Sequence, residues 1–448
     1  MTIKFNAEIE FSHTTDPLKT KILKRTALVG VVGLGYVGLP FAIEKAKVGF
    51  RVIGIEQNPC RSEKINRGEN YLLDVNEHEL QMLVKKGLLQ AVTDFNQIPE
   101  LDVIVICVPT PLTPNLTPDL QYIEAVTRSI VPYLRPEQLI SLESTTYPGT
   151  TEEIMLPILE TSGLRVEEDF YLAHSPERVD PGNRRYTTKN TTKVVGGVGP
   201  RSLELAVAFY SQTIENVVPM SCAKAAELTK VFENTFRAVN IALVNEITLL
   251  CDRMGINVWE VLDAAFTKPF GIMPFYPGPG VGGHCIPIDP HYLEWKAKEV
   301  NFNTHFIALA GEINRKMPEF VRDKALRILN RIGVPASKAR VLILGVAYKP
   351  DIEDLRGSPG LEIIRLLQKE GVNASYHDPL ILSFSENDLA MRSIPLSENT
   401  LREYDLVIIT TDHSNIDYNW LVKNSRQIFD TRNATREIKK YREKITLL

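Results

Sequence analysis

The stretch ALVGVVGLGYVGLPFAIEKAKVGFRVIGIEQNP, residues 27–59, decides the fold. An apolar run ends near Val32, the chain turns through Gly33, Gly35 and Gly38, and a helix-patterned segment over 41–48 closes at Gly49. A second apolar run then ends in Glu56. A GxGxxG triplet alone is weak, because a glycine-rich corner has the same composition. Here a strand pattern precedes it, a helix pattern follows, and an acid stands about 20 residues on, the context of a dinucleotide-binding βαβ unit. Gly33 permits the tight turn, Gly35 leaves room for a pyrophosphate, and Gly38 lets helix and strand close up. The helix N-terminus then faces the anion. Glu56 can accept hydrogen bonds from both ribose hydroxyls and would repel a 2′-phosphate, so NAD is expected rather than NADP.

Outward from this unit the alternation continues. LDVIVICVPTP (101–111), LISLESTTYPGTT (139–151), FYLAHSPERVDPGN (170–183) and TKVVGGV (192–198) each read as a strand running into a loop, the second leading to a helix from about Thr151. Such alternation predicts a mostly parallel sheet. Ligands bind at the carboxyl ends of such strands, which is where Thr110, Thr145 and Glu177 fall. Residues 222–266 then carry apolar positions three and four apart without proline, which predicts a long helix and a second one near Val258. A further helical run covers 305–333, and the strand–helix alternation returns from ARVLILGVAYKP (339–350) onward, without a second GxGxxG. The predicted fold class is α/β: two doubly wound, Rossmann-like domains joined by a central helical domain with one long helix. The expected boundaries are an N-terminal extension 1–25, an NAD-binding domain 26–219, a helical domain 220–333 and a last domain 334–448.

Composition excludes several classes. The 448 residues suffice for two or three domains, and 44% hydrophobic with 24% charged residues is ordinary for globular protein. With 51 basic and 55 acidic residues and no long basic run, nucleic acid is not expected as a partner. Five cysteines, an odd number without CxxC or zinc spacing, argue against a disulfide framework or a metal site and for a reducing cytoplasm. No secretory apolar core and no run of about 18 apolar residues is found, so no membrane partner is expected.

PFYPGPGVGGHCIPIDP (274–290) holds the sharpest chemistry. Cys285 lies among glycines that let backbone approach a ligand, and beside an NAD site a cysteine can carry an aldehyde as a thiohemiacetal and thioester. The competing reading is a loop cysteine without function. Asp289 could position water or be a turn aspartate before proline. On the long helix Lys230 and Asn234 stand four apart and share a face, where they could stabilise an alkoxide; a solvated lysine is the plainer reading. His284 adjoins the cysteine, but neighbouring side chains point apart, which disfavours it as the base. Lys349 and Arg356 follow a strand and suit phosphate or carboxylate contact, or are surface charge.

GVVGLGYVGLP, VPTP, ESTTYPGTT, SPERVDPG, ELTKVFENTFRAVNIALVNE, PGPGVGGHCIPIDP and GVAYKPDIEDLRGSP occur in this order over roughly residues 27–435. Together they resemble the nucleotide-sugar 6-dehydrogenases, the UDP-glucose dehydrogenase superfamily. The resemblance implies oxidation of C6 of a UDP-sugar to a carboxylate with two NAD⁺, a central domain that makes a homodimer, and a UDP-binding last domain. By motif it implies Cys285 as nucleophile, Lys230 and Asn234 at the oxyanions, Asp289 assisting Lys230 and water, Thr145 holding the water, and Glu177 as a general base or hydrolysis residue. It places Tyr36, Val37, Thr110, Thr145 and Arg356 with the glycines and Glu56 at the cofactor. Around the substrate it places Glu177, Arg178, Lys230, Asn234, Phe275, Tyr276, Gly280, Gly282, Gly283 and Lys349. The superfamily's second glutamate, four residues after Glu177, is here Pro181, beside Asp180. SPERVDPGN and ESTTYPGTT look most like the UDP-N-acetylhexosamine branch, UDP-N-acetylglucosamine before UDP-N-acetylmannosamine or UDP-glucose. Two rivals remain open: a non-catalytic UDP-sugar or NAD sensor, and a hydroxyacid dehydrogenase, which would lack the GGxCxPxD loop and the last domain.

Overall fold

The computed structural model describes residues 16–72, 75–179, 183, 185–283, 285–386 and 388–448. It divides into two compact units: the first runs up to Glu233 and takes in Trp295–Val300, and the second comprises Asn234–Glu294 and Asn301–Leu448.

The first unit opens with α1 (Pro17–Leu23), capped by the Asp16 side chain, which accepts the Lys19 N–H at 3.0 Å. The sequence assigns no role to residues 1–25. Residues 1–15 lie outside the described residues, but α1 is part of the fold. Leu18 and Ile22 enter the core, Lys19 pairs with Glu204 at 2.6 Å, and Asp16 pairs with Arg201. Next come β1 (Leu28–Val32), α2 (Gly38–Lys47) and β2 (Arg51–Ile55), the βαβ unit expected from the glycines. They are followed by α3 (Pro59–Asn66), α4 (Glu77–Lys85), β3 (Leu89–Val92), β4 (Val103–Ile106), α5 (Gln121–Ile130), β5 (Leu139–Leu142) and α6 (Leu156–Leu159). Then β6 (Tyr171–His174), β7 (Lys193–Gly197), α7 (Pro200–Tyr210) and β8 (Val217–Met220) complete the sheet. Among the described residues it has eight strands, ordered β3-β2-β1-β4-β5-β6-β7-β8. Every pair is parallel except β6 with β7. Every residue of β4, β5 and β6 is buried, as apolar runs covered on both faces should be. Chain order reverses between β1 and β4, and that switch point is where such sheets bind ligands.

α8 (Ala223–Met254) is the long helix, 32 residues, and the boundary between the units falls inside it. α9 (Val258–Ala265), α10 (Asp289–Glu299) and the 27-residue α11 (His305–Arg331) follow. The last third is β9 (Arg340–Leu344), α12 (Pro359–Lys369), β10 (Asn373–His377), a hairpin of β11 (Ser383–Glu386) and β12 (Leu389–Arg392), α13 (Glu398–Arg402), β13 (Leu406–Ile409), α14 (Tyr418–Asn424), β14 (Ile428–Asp430) and β15 (Ile445–Leu447). Five of these strands form a parallel sheet, β10-β9-β13-β14-β15, with its own switch point between β9 and β13. Strand alternation shows in β9: Val341 and Ile343 pack with Met317 and Val321 of α11, whereas Leu342 and Leu344 pack with Leu401 and Leu421. Among the described residues, no helix is long and apolar enough to cross a membrane.

Candidate active site

The glycine turn sits at the first switch point. Gly33 has φ +87°, and a β-carbon there would lie 2.4 Å from the Cys107 carbonyl oxygen just past β4. A β-carbon on Gly38 would lie 1.8 Å from the Gly33 oxygen, so this glycine is what allows α2 to start where it does. Gly35 differs: its β-carbon would meet nothing within 4 Å, leaving open space above a half-buried backbone. Val37 stands at the N-cap of α2 without a side-chain cap, and exposed Tyr36 precedes it. An open glycine against an uncapped helix start suits a pyrophosphate. Glu56 is buried at the end of β2, its two oxygens accepting the Leu34 N–H at 3.1 Å and the Asn58 N–H at 3.0 Å. It therefore also braces the glycine turn, which sequence reading missed. The residues present fit NAD.

The loops after β4, β5 and β6 carry the other predicted residues of the first unit. Ser144 ties two of them, accepting the Val108 N–H at 2.9 Å and donating to the Val108 carbonyl at 2.8 Å. Thr110 and Thr145 are half-buried on those loops. Beyond Thr145 the chain turns at Gly149 (φ +110°) into one π-helical stretch, Thr150–Met155, where an α-helix from Thr151 was expected. Glu227 of α8 clamps this turn: it accepts N–H bonds from Gly149 at 2.5 Å and Thr151 at 2.8 Å, and the Thr151 hydroxyl at 2.7 Å. Burial pushes its carboxyl up, although these bonds act against that. Lys230, half-buried, lies three residues after Glu227 on the same helix. Glu177 follows β6, and one of its oxygens accepts the N–H groups of Arg178 and Val179, each at 2.8 Å. Its other oxygen lies 3.2 Å from the buried Lys193 ammonium. The Arg178 guanidinium, expected at the substrate, is engaged by Glu233 and by the Thr192 carbonyl at 2.6 Å. Asp180 and Pro181 lie outside the described residues.

The second unit holds Asn234, Cys285 and Asp289. Asn234 and Asp289 are buried, and the Asn234 amide donates to the Asp289 carboxylate at 2.5 Å. Cys285 is half-buried, and its carbonyl accepts the Ile288 and Asp289 N–H groups at 3.1 and 2.9 Å, forming the turn that starts α10. His284 lies outside the described residues. Gly283 (φ +87°) donates its N–H to the Arg356 carbonyl at 2.8 Å. A β-carbon on Gly282 would lie 2.7 Å from Tyr348 Cβ, and one on Gly280 (φ +138°) would crowd Pro359 and Pro318. These glycines thus let the cysteine loop lie against the loop after β9, the loop that carries half-buried Lys349. The Arg356 guanidinium pairs with Asp354 at 2.6 Å. Phe275 packs edge-on against Phe236, and the Tyr276 hydroxyl donates to Asp263 at 2.9 Å.

Thr110, Thr145, Glu177 and Lys230 thus belong to the first unit, and Cys285, Asp289 and Lys349 to the second, with Asn234 at the boundary on α8. Sequence reading missed Glu227, Lys193 and Glu143. An acid closing the apolar run LISL was the available signal for Glu143. Among the described residues, no group of three or more His, Cys, Asp or Glu is disposed to hold a metal ion.

Three domain models match in order: the NAD binding domain of the UDP-glucose/GDP-mannose dehydrogenase family over residues 27–214, its central domain over 224–316 and its UDP binding domain over 342–437. The chain is 34% identical over 415 residues to the UDP-N-acetyl-D-mannosamine dehydrogenase of Pyrococcus horikoshii, covering 91% of this chain and 96% of that protein. It is 35% identical over 389 residues to the UDP-N-acetyl-D-glucosamine 6-dehydrogenase of Pseudomonas aeruginosa, covering 86% and 90%. A solved structure of the UDP-D-ManNAc dehydrogenase from Pyrococcus horikoshii matches with a TM-score of 0.83 at 33% identity, over 92% of this chain and 96% of that one. With the glycine turn built for NAD and all three domains present in order, the chain belongs to the UDP-glucose/GDP-mannose dehydrogenase family and is an NAD-dependent UDP-sugar dehydrogenase.

Proposed function

We propose that this enzyme oxidises the C6 alcohol of a UDP-N-acetylhexosamine to the uronic acid through a thioester on Cys285, with UDP-N-acetylglucosamine as the sugar nucleotide. The observation that carries the reading is the cysteine loop itself. Cys285 sits four residues before a buried aspartate already bonded to Asn234, on a glycine segment bonded to the loop of Lys349 and Arg356. Relatives of near-equal identity bear the names of both the glucosamine and the mannosamine enzymes, so UDP-N-acetylmannosamine is the alternative.

Two NAD⁺ molecules, bound in turn at Gly33, Gly35, Gly38 and Glu56, would each accept the hydride of one oxidation. The chain's own residues do the rest. The Cys285 thiolate adds to the C6 aldehyde and keeps it bound, which is how one site performs two oxidations. Lys230 and Asn234 stabilise the charge on the C6 oxygen, Asn234 being held for this by Asp289. Thr145 holds the water that opens the thioester, and Glu177 takes its proton. Lys349 and the glycine loop hold the nucleotide. We further take residues 26–219, 220–333 and 334–448 as the three functional domains and the cytoplasm as the compartment. The working form is a homodimer, an assignment supported by one stripe of exposed Phe232, Phe236, Leu243, Leu250 and Met254 along α8.

NADH absorbance with UDP-N-acetylglucosamine, UDP-N-acetylmannosamine, UDP-glucose and 3-hydroxybutyrate tests the assignment. The reading requires the highest kcat/KM with UDP-N-acetylglucosamine; preference for the mannosamine epimer would select the alternative, and turnover of 3-hydroxybutyrate alone would overturn both.

A further inference from the structure

The strand ends of the first unit hold a charge cluster in which the reaction above gives a part to Glu177 alone. Lys193, the first residue of β7, is 4% exposed, and its Nζ lies 3.2 Å from Glu143 and 3.2 Å from Glu177. Glu143 closes β5 and is buried, and its second oxygen has no hydrogen-bond partner among the described residues. Glu177 is fixed at both oxygens, by two backbone N–H groups on one and by Lys193 on the other. One buried ammonium between two carboxylates leaves a surplus negative charge, which is costly in a dry interior.

The two carboxylates divide that cost unequally. Burial pushes Glu143 up to about 6, with Glu177 adding to the rise and Lys193 opposing it. Burial also acts to raise Glu177, but Lys193 and the two amides outweigh it and hold Glu177 below its ordinary value. Two like groups driven apart by one shared cation is the pattern that separates acid from base. The other groups facing the cluster are Lys45, Tyr210, His174, Cys107 and Arg178, of which Tyr210 and Lys45 also interact with Glu143. Lys45 of α2 donates to the Phe209 carbonyl at 2.7 Å, and the Tyr210 hydroxyl of α7 pairs with Ser141 at 2.8 Å. His174 of β6 is buried and neutral, the Cys107 thiol is pushed up by burial and by Glu143, and Arg178 is held by Glu233.

We propose that Lys193 is a positioning residue for Glu177, and that Glu143 is the second carboxylate of a buried triad that fixes Glu177 as an oriented anion, ready to accept a proton from water. This rests on the reading of Glu177 as the base. Lys193 touches no substrate; it acts through Glu177.

The test is the pH profile of kcat for the full-length enzyme with NAD and its UDP-sugar. Removing the cation in Lys193→Gln should move the acid limb up by about one pH unit or more. Glu143 is already protonated where Glu177 titrates, so Glu143→Gln should leave the limb in place, and Lys193→Arg should keep it at the wild-type position. A purely structural role would lower kcat at every pH and leave the limb in place, and that result would overturn the proposal. A second readout does not depend on activity: ¹³C NMR of glutamate-labelled enzyme, with the Glu177 carboxyl assigned by its loss in Glu177→Gln. Its midpoint should rise in Lys193→Gln and stay at the wild-type value in Glu143→Gln; an unmoved midpoint in Lys193→Gln would refute the coupling. If Lys193→Gln does not fold, Lys193→Met, which keeps the length of the side chain without its charge, decides by the same midpoint. Should Glu177→Gln keep the wild-type pH profile, the assignment of the base fails, while the NMR midpoints still judge the triad.

Discussion

The side-chain amide of Asn234 donates to the Asp289 carboxylate at 2.5 Å, joining α8 to the first residue of α10, with both side chains buried. Asparagine and aspartate at these positions therefore act as a pair. Asn234→Ala removes a donor from a buried carboxylate, which should cost about 1–3 kcal/mol in stability and, on the proposed oxyanion role, lower kcat by about a hundredfold. Asn234→Asp should be worse, because two carboxylates would then share one buried site. Thermal unfolding beside steady-state kinetics checks both; a wild-type melting temperature with wild-type kcat would show the pair to be dispensable.

Gly35 and Gly38 separate folding from cofactor binding. Gly38→Ala would place a β-carbon 1.8 Å from the Gly33 oxygen, so it should unfold or grossly destabilise the first unit. Gly35→Ala meets open space. It should fold with a melting temperature close to wild type, yet bind NAD at least about tenfold more weakly, a change of about 1.4 kcal/mol. Calorimetric titration with NAD measures this. Unchanged affinity would remove the pyrophosphate from that space.

The ribose assignment has its own test. Glu56→Ala should weaken NAD binding and narrow the preference over NADP, and it should also lower stability because the Leu34 and Asn58 N–H groups lose their acceptor. Kinetics with both cofactors would expose an error, since an unaltered NAD-to-NADP ratio is incompatible with a carboxylate facing the 2′ position.

His174 sets the sign of one pH effect on stability. Burial lowers it from 6.5 to about 3, helped by Lys193. Below pH 6.5 the unfolded chain takes up a proton that the folded chain does not, so this residue removes stability as pH falls toward 3, by about 1.4 kcal/mol per unit. Glu143 works oppositely between its ordinary 4.5 and about 6, where the folded state holds the proton more tightly. His174→Gln isolates the first effect. Relative to wild type, the variant should gain about 2 kcal/mol on going from pH 7.5 to pH 5 in urea unfolding; a pH-independent difference would contradict a buried neutral imidazole.

What the sequence made legible was local. Gly33 and Gly38 are forced by contacts within a few residues or across one strand pair, and α8 shows itself because its periodicity persists over 32 residues. β8, the β11–β12 hairpin and β15 are as short as β4, β5 and β6 but only partly buried, so they lack the continuous apolar run that marked those strands. The reversal of β7 against β6 is decided by sheet packing. Lys193 reads as a flanking charge before two valines, and only the fold brings it to Glu143, 50 residues away in sequence. The glycines of the cysteine loop were legible as a close approach, but Gly282 meets Tyr348 and Gly280 meets two prolines.

The central claim is a four-electron oxidation held together by Cys285, and the count of NADH formed per UDP-N-acetylhexosamine consumed tests it most directly. Wild-type enzyme should form two NADH per sugar with no free aldehyde, while Cys285→Ser should lose steady-state turnover. One NADH per sugar with aldehyde released by the wild type, or a full two by Cys285→Ser at near-normal rate, would contradict the thioester account.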